Sequence, residues 1–294
     1  LFGPLSSSPD DRPHRRVEGR HKALASRAAA DGTLFRWRAV ELYAGIGGLA
    51  AAWPELEVTL AVDINRSAER LYRANFSHPY LVAEIESLPA SHLQSLEANL
   101  WWLSPPCQPY SRRGKQRDLL DPRASSFLYL LDLLDKLRPT AVALENVVGF
   151  ADSQAFQRLQ QLLDNAGYRF QYRCLCPTEM GWPNRRPRFY LLAIRSESWG
   201  AEEAGATSSA ATGEADGGPG GWRELPCYDR AIETFIDPHL ATLEQEALQL
   251  PADIAARHLP GLDRLELPEP NRPAACFASS YGRTLIRSGS YISR

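Results

Sequence analysis

From Arg38 to about Ser196, short apolar runs alternate with helical stretches, and this alternation restricts the fold more than any other feature of the chain. Candidate strands are Ala39–Tyr43, Thr59–Val62, Asn99–Leu103 and Ala141–Leu144, with Phe170–Leu175 and Phe189–Ile194 reading as a late hairpin. Candidate helices are Leu49–Trp53, Ser67–Asn75, Ser125–Leu137 and Gln154–Asn165. Strands joined through helices need right-handed crossovers, so the order predicts an α/β fold around a mainly parallel sheet. On the third helix Phe127, Leu128, Leu131, Leu134 and Leu137 make one apolar stripe at helical spacing.

The flanks read differently. Residues 1–37 are rich in Arg, Ser, Ala and Pro and read as a flexible leader; the basic cluster from Arg12 to Lys22 reads as a solvated run. Residues 38–196 form the main domain, and 197–222 a Gly/Ala-rich linker. Residues 223–273 form a small second region, with a helical segment near Leu240–Leu250 and a Pro-rich stretch up to Pro273. Residues 274–294 carry a motif of their own. The chain starts at Leu1 and stops at Arg294, which suggests a fragment.

A net charge of −2 argues against a surface coated in nucleic acid but leaves room for a local basic groove. No apolar run is long enough to cross a bilayer and no N-terminal signal is evident, so the cytoplasm is expected, with the nucleus as the alternative. The five cysteines show no zinc-type spacing, so no metal site is expected. Cys174 and Cys176 would share a face of one strand, as two buried or half-buried thiols.

Three local patterns carry chemistry. Glu41-Leu42-Tyr43-Ala44-Gly45-Ile46-Gly47-Gly48 closes the first strand and opens the first helix. Glycines there allow a tight turn and a ligand against the backbone. Asp63 ends the second strand, near the ~20-residue offset at which an acid meets ribose hydroxyls. A nucleoside cofactor follows, NAD or S-adenosylmethionine on these residues alone. Second, Ser104-Pro105-Pro106-Cys107-Gln108-Pro109-Tyr110-Ser111 is a stiff, proline-locked loop after a strand. Ligands of open parallel sheets bind beyond the carboxyl ends of strands, so Cys107 reads as a nucleophile and not as a packed thiol. Third, Glu145 directly follows an apolar strand, at the same sheet edge, where burial would raise its pKa and keep a proton available.

The Pro-Pro-Cys-Gln loop, Glu145-Asn146-Val147, the glycine turn and Asn184-Arg185-Arg186-Pro187-Arg188-Phe189 together resemble the cytosine-5 methyltransferases, in order and in spacing. The likeness is dense from Arg38 to Ser196 and resumes at Cys276-Phe277. Within that family the chain is most similar to the branch that includes tRNA-aspartate methyltransferases. Asp121-Pro122-Arg123, Ser126-Phe127-Leu128, Tyr281-Gly282-Arg283 and Ser288-Gly289-Ser290 carry this likeness. Ala278 departs from it, because the branch usually has Thr after Cys-Phe.

The resemblance implies a Rossmann-like S-adenosylmethionine-dependent methyltransferase sheet with a small target-recognition domain, region 223–273, and a returning segment that starts at 274. It implies methyl transfer to carbon 5 of cytosine in nucleic acid, with tRNA favoured over DNA. Cys107 would attack carbon 6, and protonated Glu145 would bond ring nitrogen 3. Arg186 and Arg188 would position the ring and the loop, and a cation close to Cys107 would raise its thiolate fraction. Tyr43, Gly45, Ile46, Gly47, Gly48, Asp63, Ile64, Glu84, Ile85 and Ser104 would hold S-adenosylmethionine. Gln108, Arg112, Arg113, Lys115, Arg117, Cys276 and Phe277 would meet the nucleic acid. A monomer is the default, without a membrane partner. The alternatives are a DNA cytosine-5 methyltransferase and an inactive nucleic-acid-binding module. The module reading arises because family members continue past the Ser-Gly-Ser turn. An NAD-dependent oxidoreductase would leave Pro105–Gln108 unexplained.

Overall fold

The computed structural model describes residues 27–28, 34–109, 118–195, 252–258, 260, 262–266, 272–275 and 289–293. Within the stretch read as a leader, β1 (Arg27–Ala28) pairs antiparallel with β2 (Leu34–Phe35). The main elements follow as β3 (Arg38–Leu42), α1 (Gly48–Ala52), β4 (Glu57–Asp63), α2 (Arg66–Asn75), β5 (Tyr80–Val82), α3 (Ala90–Ser95) and β6 (Leu100–Leu103). Then come α4 (Ser125–Leu137), β7 (Ala141–Asn146), α5 (Gln154–Asn165), β8 (Tyr168–Leu175), β9 (Asn184–Arg185) and β10 (Arg188–Arg195). The seven-stranded sheet has the order β5-β4-β3-β6-β7-β10-β8. This is the α/β architecture expected from the strand–helix alternation.

By internal contacts the chain divides into two compact units, residues 1–105 with 125–143, and residues 106–124 with 144–294. In the first unit β4 and β6 both pair parallel with β3, and β5 pairs parallel with β4. The chain moves outward from β3 through β4 to β5, then crosses back to β6 on the other side of β3. That reversal of strand order is a topological switch point, where such sheets open a crevice at their carboxyl ends. Asn65 caps α2 by accepting from the Ser67 and Ala68 backbone N–H groups at 2.9 and 3.3 Å. Only Ala68 and Tyr72 of α2 are buried, so its remaining charged face meets water.

In the second unit β8 and β10 form the expected antiparallel pair, with Phe189 opposite Cys174. Phe150, Phe156, Tyr172 and Phe189 pack with ring centroids 5.0–5.8 Å apart. Phe150, Phe156 and Phe189 are buried, and each such side chain contributes about 2–3 kcal/mol of burial. Farther along the chain are α6 (Ala252–His258), β11 (Asp263–Glu266), β12 (Ala274–Ala275) and β13 (Ser290–Ser293). β11 pairs parallel with β13, and β12 pairs parallel with β9 at the start of the arginine motif. The helical segment expected near Leu240–Leu250 lies outside the described residues.

Three readings need correction. In α4 the buried residues are Phe127, Leu130, Leu131, Leu133 and Leu134, while Leu128 and Leu137 are half-buried. The covered face is broader and rotated, because the helix packs against α3 and the turn Ile85–Ser87. Cys174 is exposed and Cys176 half-buried. β8 is an edge strand that ends at Leu175, so Cys176 starts the next turn instead of sharing a face with Cys174. Among the seven strands of the main sheet and the helices between them, β5 and α3 were not anticipated. They span three and six residues, too short to show a period. Among the described residues, no helix is long and apolar enough to cross a membrane, and no cluster could hold a metal ion.

Candidate functional site

In the first unit the glycine turn, Asp63 and Ser104 come to one edge. Leu42 aligns with Val62 and with Leu103. The Ala44 N–H reaches the Val62 carbonyl at 2.9 Å, and the Ser104 N–H reaches the Leu42 carbonyl at 3.2 Å. The turn requires its glycines. Gly47 has φ +92°, and a Cβ there would lie 2.5 Å from Phe76 and 2.9 Å from Tyr72. Tyr43 itself sits at φ +60°, a strained backbone of the kind that collects at functional sites. Its hydroxyl donates to Ser126 at 2.9 Å.

The other side of this turn is open. A Cβ at Gly45 or Gly48 would meet nothing within 4 Å. Ile46 and Ile64 are 62% and 64% exposed, although both are large and apolar. Glycine-lined space beside exposed isoleucines and an acid fits a nucleoside cofactor. Asp63 grips the turn with both oxygens, accepting from the Gly45 N–H at 2.8 Å and the Asn65 N–H at 2.9 Å. Each carboxylate oxygen retains acceptor capacity for a hydroxyl. The Trp102 indole N–H donates to Ser104 Oγ at 2.9 Å. Glu84 is exposed, whereas Ile85 is 2% exposed and belongs to the core.

The second unit brings together the carboxylate and the arginines. Of β7, only Glu145 is not buried, at the carboxyl end of an otherwise covered strand. Arg188 Nε lies 3.1 Å from Glu145 Oε1, and both side chains are 22% exposed. Burial pushes the Glu145 carboxyl above the usual range, against the opposing charge of Arg186. Arg188 also donates to the Pro187 carbonyl at 2.8 Å, which fixes its guanidinium. Tyr190 lies two residues along β10, on the same face as Arg188. Burial and the neighbouring Glu145 push its phenol up.

Cys107 is half-buried, between buried Pro105 and Pro109, and Gln108 is exposed. Among the described residues, Arg123 interacts electrostatically with Cys107, while Arg188 pairs with Glu145 and Arg186 acts on it through its charge. Arg123 is held by Asp121, which is 5% exposed and accepts from Arg123 Nε and Nη2 at 2.9 and 2.8 Å. The sequence marked Asp121-Pro122-Arg123 only as part of a likeness; the fork onto buried Asp121 is what fixes the exposed Arg123. Arg112, Arg113, Lys115, Arg117, Cys276 and Phe277 lie outside the described residues.

Asp118 was not anticipated. It accepts from the Gln154 N–H at 2.6 Å and the Ala155 N–H at 3.2 Å, which caps α5 from 36 residues away. Its own N–H faces the Pro109 carbonyl at 3.4 Å, which ties it to the end of the cysteine loop. It also holds φ +49°, which Asp and Asn tolerate better than Ala. Asp118→Ala is expected to lower unfolding stability by about 1–2 kcal/mol in urea titration. Asp118→Asn should recover most of that loss.

The family model for C-5 cytosine-specific DNA methylases matches residues 37–214. The tRNA (cytosine(38)-C(5))-methyltransferase of Bos taurus is 43% identical over 163 residues, which cover 53% of this chain and 42% of that protein. A DNA (cytosine-5)-methyltransferase of Dictyostelium discoideum is 38% identical over 168 residues, covering 54% of this chain and 44% of that protein. The matched stretch thus spans less than half the length of these relatives. A solved methyltransferase of Entamoeba histolytica superposes with a TM-score of 0.71 at 25% identity, covering 88% of this chain and 76% of its own.

Proposed function

Because this chain belongs to the C-5 cytosine-specific DNA methylase family, we propose that it transfers a methyl group to carbon 5 of cytosine in nucleic acid, with tRNA as the preferred substrate. The observation that carries the reading is Glu145. It is a half-buried carboxyl beside Arg188 whose pKa burial raises above the usual range, in the same compact unit as the proline-locked Cys107. That is the pairing of acid and nucleophile that a pyrimidine ring needs.

The mechanism follows from the chemistry of cytosine. Carbon 5 is a poor nucleophile in the free ring. The Cys107 thiolate adds to carbon 6, forming a carbon–sulfur bond, while Glu145 gives a hydrogen bond to ring nitrogen 3 and stabilises the charge that develops there. Carbon 5 then has enamine character and accepts the methyl group. Its proton leaves to a base, and the carbon–sulfur bond breaks to free Cys107. Arg186 and Arg188 keep the Glu145 carboxyl aimed. S-adenosylmethionine, when bound, supplies an electrophilic methyl group. Tyr43, Gly45, Ile46, Gly47, Gly48, Asp63, Ile64, Glu84, Ile85 and Ser104 would hold it.

The target base must leave its stack to reach Cys107. An anticodon loop already offers unstacked bases, so the short region 223–273 would suffice to recognise it. A duplex demands more protein to hold it open. The name of the Bos taurus relative favours the same substrate; that of the Dictyostelium relative supports DNA as the second reading. The compartment proposed with this reading is the cytoplasm, with the nucleus as the alternative. Labelled methyl transfer to deproteinised tRNA and to duplex DNA, measured side by side, tests the preference. The expected result is label in tRNA, recovered as 5-methylcytosine. Label in DNA alone would replace this reading with the second one.

A further inference from the structure

We propose that Glu41, Tyr72 and His78 form a proton-linked positioning network beneath the glycine turn, through which pH sets how tightly the turn grips its cofactor. The inference rests on the reading that residues Tyr43–Gly48 hold the methyl donor.

Glu41 is 1% exposed on β3 and has no part in the mechanism above. A buried carboxyl without a task in the chemistry calls for a structural one. Its Oε1 accepts from the Leu49 N–H at 3.1 Å, at the first turn of α1. Its Oε2 accepts from the Tyr72 hydroxyl at 3.3 Å, and Tyr72 is fully buried. The same hydroxyl lies 3.2 Å from Nδ1 of half-buried His78.

Tyr72 has one hydroxyl proton and can give it to only one side at a time. Two patterns result. With Glu41 ionised, Tyr72 donates to Glu41, and the Nδ1–H of His78 donates to Tyr72. With Glu41 protonated, Glu41 donates to Tyr72, and Tyr72 donates to a bare Nδ1. One added proton and a tautomer change of His78 separate the two. Burial pushes the Glu41 carboxyl up to about 7, against bonds from Leu49 and Tyr72 that pull it down, so both patterns are accessible near neutrality.

The network touches the turn directly. The missing Cβ of Gly47 would lie 2.9 Å from the Tyr72 ring. Tyr72 and Tyr80 pack with centroids 4.8 Å apart, and the Tyr80 hydroxyl donates to the Gly45 carbonyl at 3.2 Å. Among the described residues, the other charged groups acting on Tyr80 are Asp63 on β4, and Glu69 and Arg73 on α2. The ionised pattern gives Leu49 and Tyr72 charge-assisted bonds and fixes both the start of α1 and the aromatic floor. The protonated pattern leaves neutral bonds and a looser turn. Cofactor affinity therefore rises with pH across neutrality, by about tenfold for each unit that binding lowers the Glu41 pKa.

The test is calorimetric titration of the chain with S-adenosylhomocysteine from pH 6 to pH 8.5, with thermal melts to establish that each variant is folded. The wild type is expected to bind about tenfold more tightly at the upper end. Glu41→Gln should give a flat profile, since its amide cannot titrate. Tyr72→Phe should move the midpoint upward, because Glu41 loses a donor that favours its anion. A flat wild-type profile overturns the inference. So does a pH response kept in Glu41→Gln and lost in His78→Phe, which would assign it to the histidine alone. Absence of wild-type binding at every pH would instead sink the reading of the turn, and the inference with it.

Discussion

Cys107→Ser is expected to lower methyl transfer at least ~1000-fold while the protein stays folded, since losing a covalent nucleophile usually costs that much or more. Cys107 is half-buried in a loop whose flanking prolines are buried, so the loop shape does not depend on the sulfur. A hydroxyl has almost no anionic fraction at neutral pH. The adduct itself can be read. An oligonucleotide with fluorine at carbon 5 lacks the proton whose departure permits elimination, so the enzyme stays bonded to carbon 6. Mass spectrometry should find that adduct on Cys107 in the wild type and none in Cys107→Ser. A crosslink on another cysteine would remove Cys107 from its role.

Glu145→Gln should cost about 100- to 10,000-fold, the range typical of losing a positioned acid. The amide keeps the shape and one hydrogen bond but cannot carry the exchangeable proton. The pH dependence separates this role from simple packing. In the proposed mechanism the protonated carboxyl is the working form, and burial raises its pKa above the ordinary carboxyl value. Wild-type kcat/KM therefore falls as pH rises through the raised Glu145 pKa. The Gln variant should lose that descending limb. Arg186 acts in the opposite direction to burial, so Arg186→Ala should move the limb to higher pH. A Glu145→Gln enzyme with wild-type rates would exclude the carboxyl from the chemistry.

The structure divides these tests between two compact units. Every candidate cofactor residue belongs to one, and Cys107, Glu145, Arg186 and Arg188 belong to the other. Changes at Cys107 or Glu145 are therefore expected to alter kcat and leave S-adenosylhomocysteine affinity unchanged. Changes at Glu41 should do the reverse.

Much of this was legible in the order of residues. The sheet edge was readable because a strand that ends in a glycine turn, an acid or a proline loop announces its own carboxyl end; β3, β4 and β6 each do so. The bounds of α4 and α5 were readable because their apolar spacing is long enough to show a helical period. What α4 buries was not, because the covering surface comes from α3 and the Ile85–Ser87 turn, and periodicity alone does not reveal which flank a neighbour will cover. Cys174 and Cys176 failed for a related reason, since the ends of an edge strand follow from its pairing partner and not from its own alternation.

Local sequence determined which residues can do the chemistry, because nucleophile, acid and glycine turn are properties of side chains and of backbone freedom. Only tertiary structure decided which charges serve which group. Arg188 reaches Glu145 from a strand 43 positions on, Arg123 is held by a buried Asp121, and Asp118 caps a helix that starts far along the chain. Electrostatic pairing depends on distance in space and on exclusion of water, and neither quantity exists until the chain has folded.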